Sequence, residues 1–305
     1  MLLRIAPALF VFLWSSGFIG TKLAVAGAEP FTLLTIRFML VLAVLIPAGL
    51  WLGQAPLTPA MRWNAVVAGA LLHASYLGGV TWGASAGMDA NVTALICSLQ
   101  PILTAVFAGA LLAETITKRH WAGLALGLAG TTLVVAPKFG SSAGLGSITG
   151  PGLAAIVFAL VAITLGTIYQ KRHAGSTNLF AGAIWQFVGA LVVTAPLSFA
   201  LETQRINWSP GFVFALGWLV VVLSLGAMTL LMLLIRENAV SRTSALFYLV
   251  PSVTSVMAFA IFGETLSFIQ IAGIAIVTLA VILLQSRPAG GGNGGGARND
   301  DRHED

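Results

Sequence analysis

Charge is what this chain has least of. Only 8% of its 305 residues are Asp, Glu, Lys or Arg, against about 25% in soluble globular domains. With 58% hydrophobic residues and a mean hydropathy of +0.95, it cannot clothe itself in a solvated surface, which excludes a water-soluble globular class. Cysteine is nearly absent. Cys97 stands alone, so there is no disulfide framework and no multi-cysteine metal site. Enzyme signatures are missing as well: no H-E-x-x-H, no G-x-x-x-x-G-K-[ST] and no G-x-S-x-G. The four histidines, His73, His120, His173 and His303, are scattered along the chain. No enzyme, metal or cofactor is expected. The net charge of +5 belongs to loops and helix ends and gives no reason to expect a nucleic-acid partner.

What fills the chain is a succession of apolar runs of roughly 17–25 residues, each long enough to cross a bilayer. Ten are expected, at roughly 5–26, 31–52, 63–86, 90–112, 120–136, 149–170, 179–200, 210–235, 241–263 and 267–285. The expected fold class is therefore an all-α membrane protein with ten transmembrane helices. The first run, flanked by Arg4 and Ala24-Val25-Ala26, has the outline of a secretory signal. It continues through Lys22 into a repeat, however, and reads as a retained span. Residues 137–148 form a Gly/Ser linker. The tail 286–305, rich in glycine and polar residues, cannot bury apolar area and is expected to be disordered.

The runs repeat. SLQPILTAVFAGALLAE (Ser98 to Glu114) and YLVPSVTSVMAFAIFGE (Tyr248 to Glu264) align at an offset of 150 residues, pairing Pro101 with Pro251, Glu114 with Glu264 and Thr115 with Thr265. At an offset of 149, Lys22 meets Lys171, Phe31 meets Phe180 and Pro47 meets Pro196. The units are 5–136 and 149–285, of five spans each. An odd number of spans turns the second unit over in the membrane, giving two inverted five-helix repeats. Within each proline stretch the ring removes an amide donor and crowds the carbonyl four residues back. Those carbonyls belong to Cys97 and Phe247. In hydrocarbon such a break is tolerated only against protein or a cavity, so Pro101 and Pro251 are candidate hinges beside a central site.

Basic residues set the orientation. Eleven of the fifteen, Arg4, Arg62, Lys118, Arg119, Lys171, Arg172, Arg236, Arg242, Arg287, Arg298 and Arg302, fall on one side of the expected topology. Only Lys138 and Arg205 fall on the other. Both termini are thus expected in the cytoplasm.

At this point the residues resemble a known family. Trp14-Ser15-Ser16-Gly17, Lys22, Glu29-Pro30-Phe31 and Arg37-Phe38 are similar to the first two spans of EamA-type drug/metabolite transporters. The two proline-to-glutamate helices resemble that family's fourth and ninth spans. The resemblance covers about residues 5–285 and implies a basket of ten helices, alternating access around a central cavity, and export of a small metabolite, amino acids and their relatives among them. Other members of the superfamily carry sugar phosphates or nucleotide sugars.

Several residues are candidates for the work. His73 lies eleven residues beyond Arg62, about 16 Å into the membrane at 1.5 Å per residue, with Tyr76 on the same helix face. Such a pair can bind a carboxylate or shuttle a proton, or else be a neutral His bonded to a neighbouring helix. Arg37 can attract an anionic substrate, or neutralise carbonyls and snorkel outward. Trp14, Tyr169, Trp185 and Tyr248 fall inside spans, and Gln100 precedes the Pro101 break. Together they suit a cavity for a small amphipathic metabolite. Lys22 and Lys171 suit anchors at helix ends. Glu114 and Glu264 read as helix-end or gate-closing partners for basic residues. No carboxylate falls mid-span, which disfavours proton-coupled export of lipophilic cations and favours zwitterionic or anionic substrates.

The expectation is a multi-pass inner-membrane exporter of a small metabolite, most simply an amino acid or relative. Its partners are that substrate, the lipid bilayer and, if His73 titrates, protons. Facilitated diffusion is the other coupling left open. The rival readings are a sugar-phosphate or nucleotide-sugar exchanger, which needs several cations at the cavity, and a membrane scaffold or sensor that moves no solute.

Overall fold

The computed structural model describes residues 2–53, 56–88, 90–139, 149–174, 178–238, 240–262 and 266–285. The linker at 140–148, the tail at 286–305 and Glu264 lie outside the described residues. Among those described, every regular element is a helix. The single β feature is an isolated antiparallel bridge between Ala28 and Ile206.

In chain order the helices are α1 (Leu2–Ala24), α2 (Pro30–Trp51), α3 (Pro59–Ser85), α4 (Ala90–Cys97), α5 (Gln100–Leu112) and α6 (Lys118–Phe139). They continue with α7 (Gly150–Tyr169), α8 (Leu179–Leu201), α9 (Pro210–Glu237), α10 (Val240–Ala245), α11 (Leu249–Phe262) and α12 (Phe268–Gln285). Eight helical stretches among the described residues are long and apolar enough to cross a membrane. Helix α1 adds a shorter apolar stretch, Ile5–Thr21.

Local chemistry explains the starts. Thr58, Thr149 and Ser209 each accept a bond from an amide of the first turn, with a proline at the first or second helical position. The hydroxyl satisfies an orphan donor, and the proline sits where its missing N–H costs nothing. The proline breaks are equally local. Helix α4 stops at Cys97, Ser98 and Leu99 turn, and α5 begins at Gln100. In the second copy a 3₁₀ turn, Leu246–Tyr248, separates α10 from α11.

Three π-helical segments were not legible in the sequence. They interrupt α3 at Ala70–Ser75 and α9 at Leu219–Ala227, and extend α7 at Gln170–Ala174. The first two fall at equivalent places in the repeat. An inserted residue rotates one half of a helix against the other, and such segments concentrate at functional sites.

The halves interleave rather than sit side by side. Helix α12 lies along α6, α8 along both α2 and α3, α7 along α3, and α1 against α9 and α11. Glycines permit the closest approaches. A Cβ on Gly69 would run into the Gln186 carbonyl, and one on Gly189 into the Val66 carbonyl, so α3 and α8 meet backbone to backbone. Gly79 and Gly83 face α7 at Ala155 and Ile156, whereas Gly123 and Gly127 face Leu284 and Tyr248. Small residues serve membrane helices this way because lipid gives no hydrophobic drive to association, leaving close packing to supply it.

One end of the bundle gathers the cations. Tyr169 donates to Asn64, Lys171 donates to the carbonyls of Arg236 and Asn238, and Glu114 accepts from Val240 and Ser241. Those bonds bring Arg62, Lys118, Lys171, Arg236 and Arg242 to a common side, hereafter the basic end.

Candidate functional site

A void of about 40 Å³ lies between α1, α2, α3 and α9, lined by Trp14, Thr21, Arg37, Tyr76, Leu223 and Met228 among others. That is room for a few water molecules, each needing about 10–15 Å³ by the same measure. A second void of about 10 Å³ shares Trp14 and Tyr76 and reaches Cys97, Ser98, Phe247 and Pro251, hence both proline breaks. The indole of Trp14 and the phenol of Tyr76 lie nearly parallel, 6.1 Å apart at 17°. Phe247 stands edge-on to Trp14 at 5.2 Å.

Arg37 is the charge in this setting. It is 4% exposed, and its Nε donates to the Ser224 hydroxyl at 2.8 Å. No carboxylate lies within ion-pair distance of it among the described residues. Burying a guanidinium without a counter-ion costs several kcal/mol after relaxation, about as much as a stable core contact returns. Such groups in membrane segments are rare and mark function. Ser224 sits on the π segment of α9. Its one sequence signal is a lone hydroxyl in the run LVVVLSLGA.

His73 sits elsewhere. It is fully buried, stacked on Phe187 with centroids 4.5 Å apart at 12°, and bonded through Nε2 to Gln186 at 3.2 Å. Gln186 in turn donates to Gln170 at 2.9 Å. These three line none of the described cavities. Gln186 occupies the position that pairs with Arg37 at an offset of 149. The repeat thus supplies two crossing pairs, Arg37 with Ser224 and Gln186 with His73. Each joins the second span of one half to a π segment in the other half.

The remaining candidates disperse. The Tyr248 hydroxyl donates to the Leu124 carbonyl at 3.0 Å, well sealed against Gly127. Trp185 stacks under Arg62 at 5.2 Å, and Tyr169 bonds Asn64, both toward the basic end. Gln100 is buried with neither amide atom partnered, one turn from Thr104, whose hydroxyl is also unpartnered. The backbone of Lys22 is helical, while its side chain lies outside the described residues.

Among the described residues, carboxylates at both ends bond backbone amides and hydroxyls, while Glu264, the other expected helix-end carboxylate, lies outside the described residues. Glu114 accepts from the amides of Val240 and Ser241 and from the Ser241 hydroxyl. At the opposite end Glu202 takes the amides of Phe31 and Thr32 and the Thr32 hydroxyl at 2.7–2.8 Å. Glu29 answers by accepting from the amide and hydroxyl of Thr203. Together with the Ala28–Ile206 bridge and an Asn207 amide bond to Gly27, they clasp the two connections. A helix start carries partial positive charge and orphan N–H donors, so it competes well with a cation for a carboxylate. Larger cavities lie beyond each clasp, of about 480 Å³ beside Glu29 and Arg205 and about 520 Å³ beside Glu114 and Arg242.

The arrangement is that of a membrane carrier: a small, largely apolar void that holds Arg37 lies between two interleaved halves, with hydrogen-bonded clasps at both ends. Comparison with known proteins gives the class a family. The EamA-like transporter family model matches residues 5–136 and 150–286, and the chain belongs to that family. It is a transporter rather than an enzyme. The uncharacterized inner membrane transporter YedA of Escherichia coli (strain K12) is 28% identical over 93% of this chain and 91% of its own length. The uncharacterized transporter YvbV of Bacillus subtilis (strain 168) is 23% identical over 92% and 90%. A chloroplastic WAT1-related protein of Arabidopsis thaliana is 25% identical over 92% of this chain and 68% of its own. A solved crystal structure superposes with a TM-score of 0.75 over 92% of this chain and 95% of that one, at 19% identity, which shows a shared fold.

Proposed function

We propose that the protein is a secondary carrier of the inner membrane, built from ten spans in two inverted repeats, that exports a small zwitterionic or anionic metabolite such as an amino acid. The observation that carries this reading is Arg37, a buried cation without a counter-carboxylate, on a void that both halves line. A substrate carboxylate would supply the missing charge, while Trp14 and Tyr76 offer apolar faces to the rest of the molecule. The void must enlarge to admit such a substrate, and the breaks at Pro101 and Pro251 and the π segments of α3 and α9 are where the helices can give.

The inverted repeat draws support from packing. Exchanging the halves turns the α3–α8 contact into α9–α2, α3–α7 into α9–α1, and α5–α7 into α11–α1, and all of these occur. The basic end faces the cytoplasm on this reading, because eleven cations favour that side. Arg37, the one cation lining the void among the described residues, suits one carboxylate better than the doubly charged phosphate of a sugar-phosphate exchanger.

Counterflow in proteoliposomes tests the proposal. Vesicles preloaded with amino acids should accumulate labelled substrate, and those preloaded with phosphate esters should not. Absence of flux for every carboxylate-bearing metabolite tried, alongside flux for phosphate esters, would sink it.

A further inference from the structure

Away from the central void, the basic end holds a cavity of about 520 Å³ that the transport reading does not use. Arg119, His120 and Arg242 border it, Ser241 adds a hydroxyl, and Leu283 and Leu284 form an apolar wall. Glu114 borders it too. Its carboxylate is turned onto the Val240 and Ser241 amides and the Ser241 hydroxyl, so its charge is already met by the start of α10. The Nε2 atom of His120 is buried without a hydrogen-bond partner. The cavity lies where α5, α6, α10 and α12 end, beside the exposed Trp121. Indole rings collect at the depth of lipid headgroups.

We infer that this cavity takes the phosphate of an anionic phospholipid headgroup. The Arg242 guanidinium and the His120 imidazole form a donor set suited to a phosphodiester, since the planar Arg fork matches adjacent phosphate oxygens. Basic pockets between membrane helices bind such headgroups. The leucine wall favours lipid over free phosphate, because a soluble anion gains nothing from apolar surface, whereas a glycerol backbone and the first acyl carbons do. A lipid seated there bridges the ends of α5 and α6 in the first half to α10 and α12 in the second. The inference is independent of the substrate and of the direction of transport.

Native mass spectrometry of the purified full chain, equilibrated with equal amounts of phosphatidylglycerol and phosphatidylcholine, decides the matter. One phosphatidylglycerol should be retained in preference to phosphatidylcholine. Arg242→Gln should weaken retention about fivefold, the usual worth of one cation near a membrane surface, and Arg242→Lys should largely restore it. His120→Ala should weaken it as well, and decides alone if Arg242→Gln does not fold. Equal retention of the two lipids, or unchanged retention in both variants, overturns the inference. Displacement of the lipid by excess inorganic phosphate would assign the cavity to a soluble anion and overturn the lipid assignment.

Discussion

The two crossing polar pairs occupy equivalent places in the repeat and differ in chemistry and in access to the central void. Arg37 with Ser224 carries a guanidinium and opens on the central void, whereas Gln186 with His73 joins an amide to an imidazole, extends to Gln170 and is packed against Phe187. On the proposed function, one shared scaffold carries a working face and a structural face. A hydrogen-bonded side-chain network rigidifies a helix pair, here with only His73 Nδ1 left without a partner among its described atoms, whereas a lone buried cation costs stability unless a ligand meets it.

The sharpest break in that comparison is Arg37→Met. On the proposed function it should lower substrate flux about a hundredfold, the equivalent of about 3 kcal/mol for an unmet buried charge. Thermal melting of the same variant should stay level or rise, because Ser224 can turn its hydroxyl to a carbonyl of its own helix. Flux near that of the parent would remove Arg37 from the site. Gln186→Leu should do the reverse. Leaving His73 and Gln170 unpaired costs about 1–3 kcal/mol of stability, and flux per folded molecule should change little. A loss of flux without a loss of melting temperature would show that the sealed pair also works in transport.

The caps give a second, smaller contrast. Phe31 and Thr32 correspond to Phe180 and Ala181 at an offset of 149. The second pair of amides is capped by Asn178, which precedes its own helix. The first pair is capped by Glu202, about 170 residues away. Glu202→Ala should therefore cost about 1–2 kcal/mol and loosen the clasp, raising the labelling of a cysteine placed at Ser85, which lines the cavity beside that clasp. Asn178→Ala should cost about 1 kcal/mol and leave that labelling unchanged. Equal labelling in both variants would reduce Glu202 to an ordinary cap.

Much of the frame could be read in the residues, and little of the site. The starts at Pro30, Pro59 and Pro210 and the breaks before Pro101 and Pro251 follow from a ring that has no N–H to donate, which acts within one turn of chain. The site was half visible. Arg37, Trp14 and Tyr76 drew notice as polar or aromatic residues in apolar runs and do meet at one void, but Tyr169, Trp185 and Tyr248 drew notice on the same grounds and stand apart from it. Hydropathy reports that a side chain lies within a span, and a helix periodicity buried on most sides does not report which neighbour it faces. Ser224 and Glu202 gave almost no signal, being respectively a small hydroxyl and a carboxylate at a helix end.

What the sequence determined alone is a membrane-embedded, duplicated helical chain, because apolar length, proline placement and the side on which cations gather are properties of short stretches and their order. Only the tertiary structure decided that Arg37 meets Ser224 rather than a carboxylate, that Glu202 caps a helix of the other half, and that α3 and α9 slip into π geometry. Each of those depends on which surfaces touch across some 110 to 190 residues of chain. In a bilayer those surfaces are chosen by close packing and by pairing of polar groups, neither of which a single stretch of residues contains.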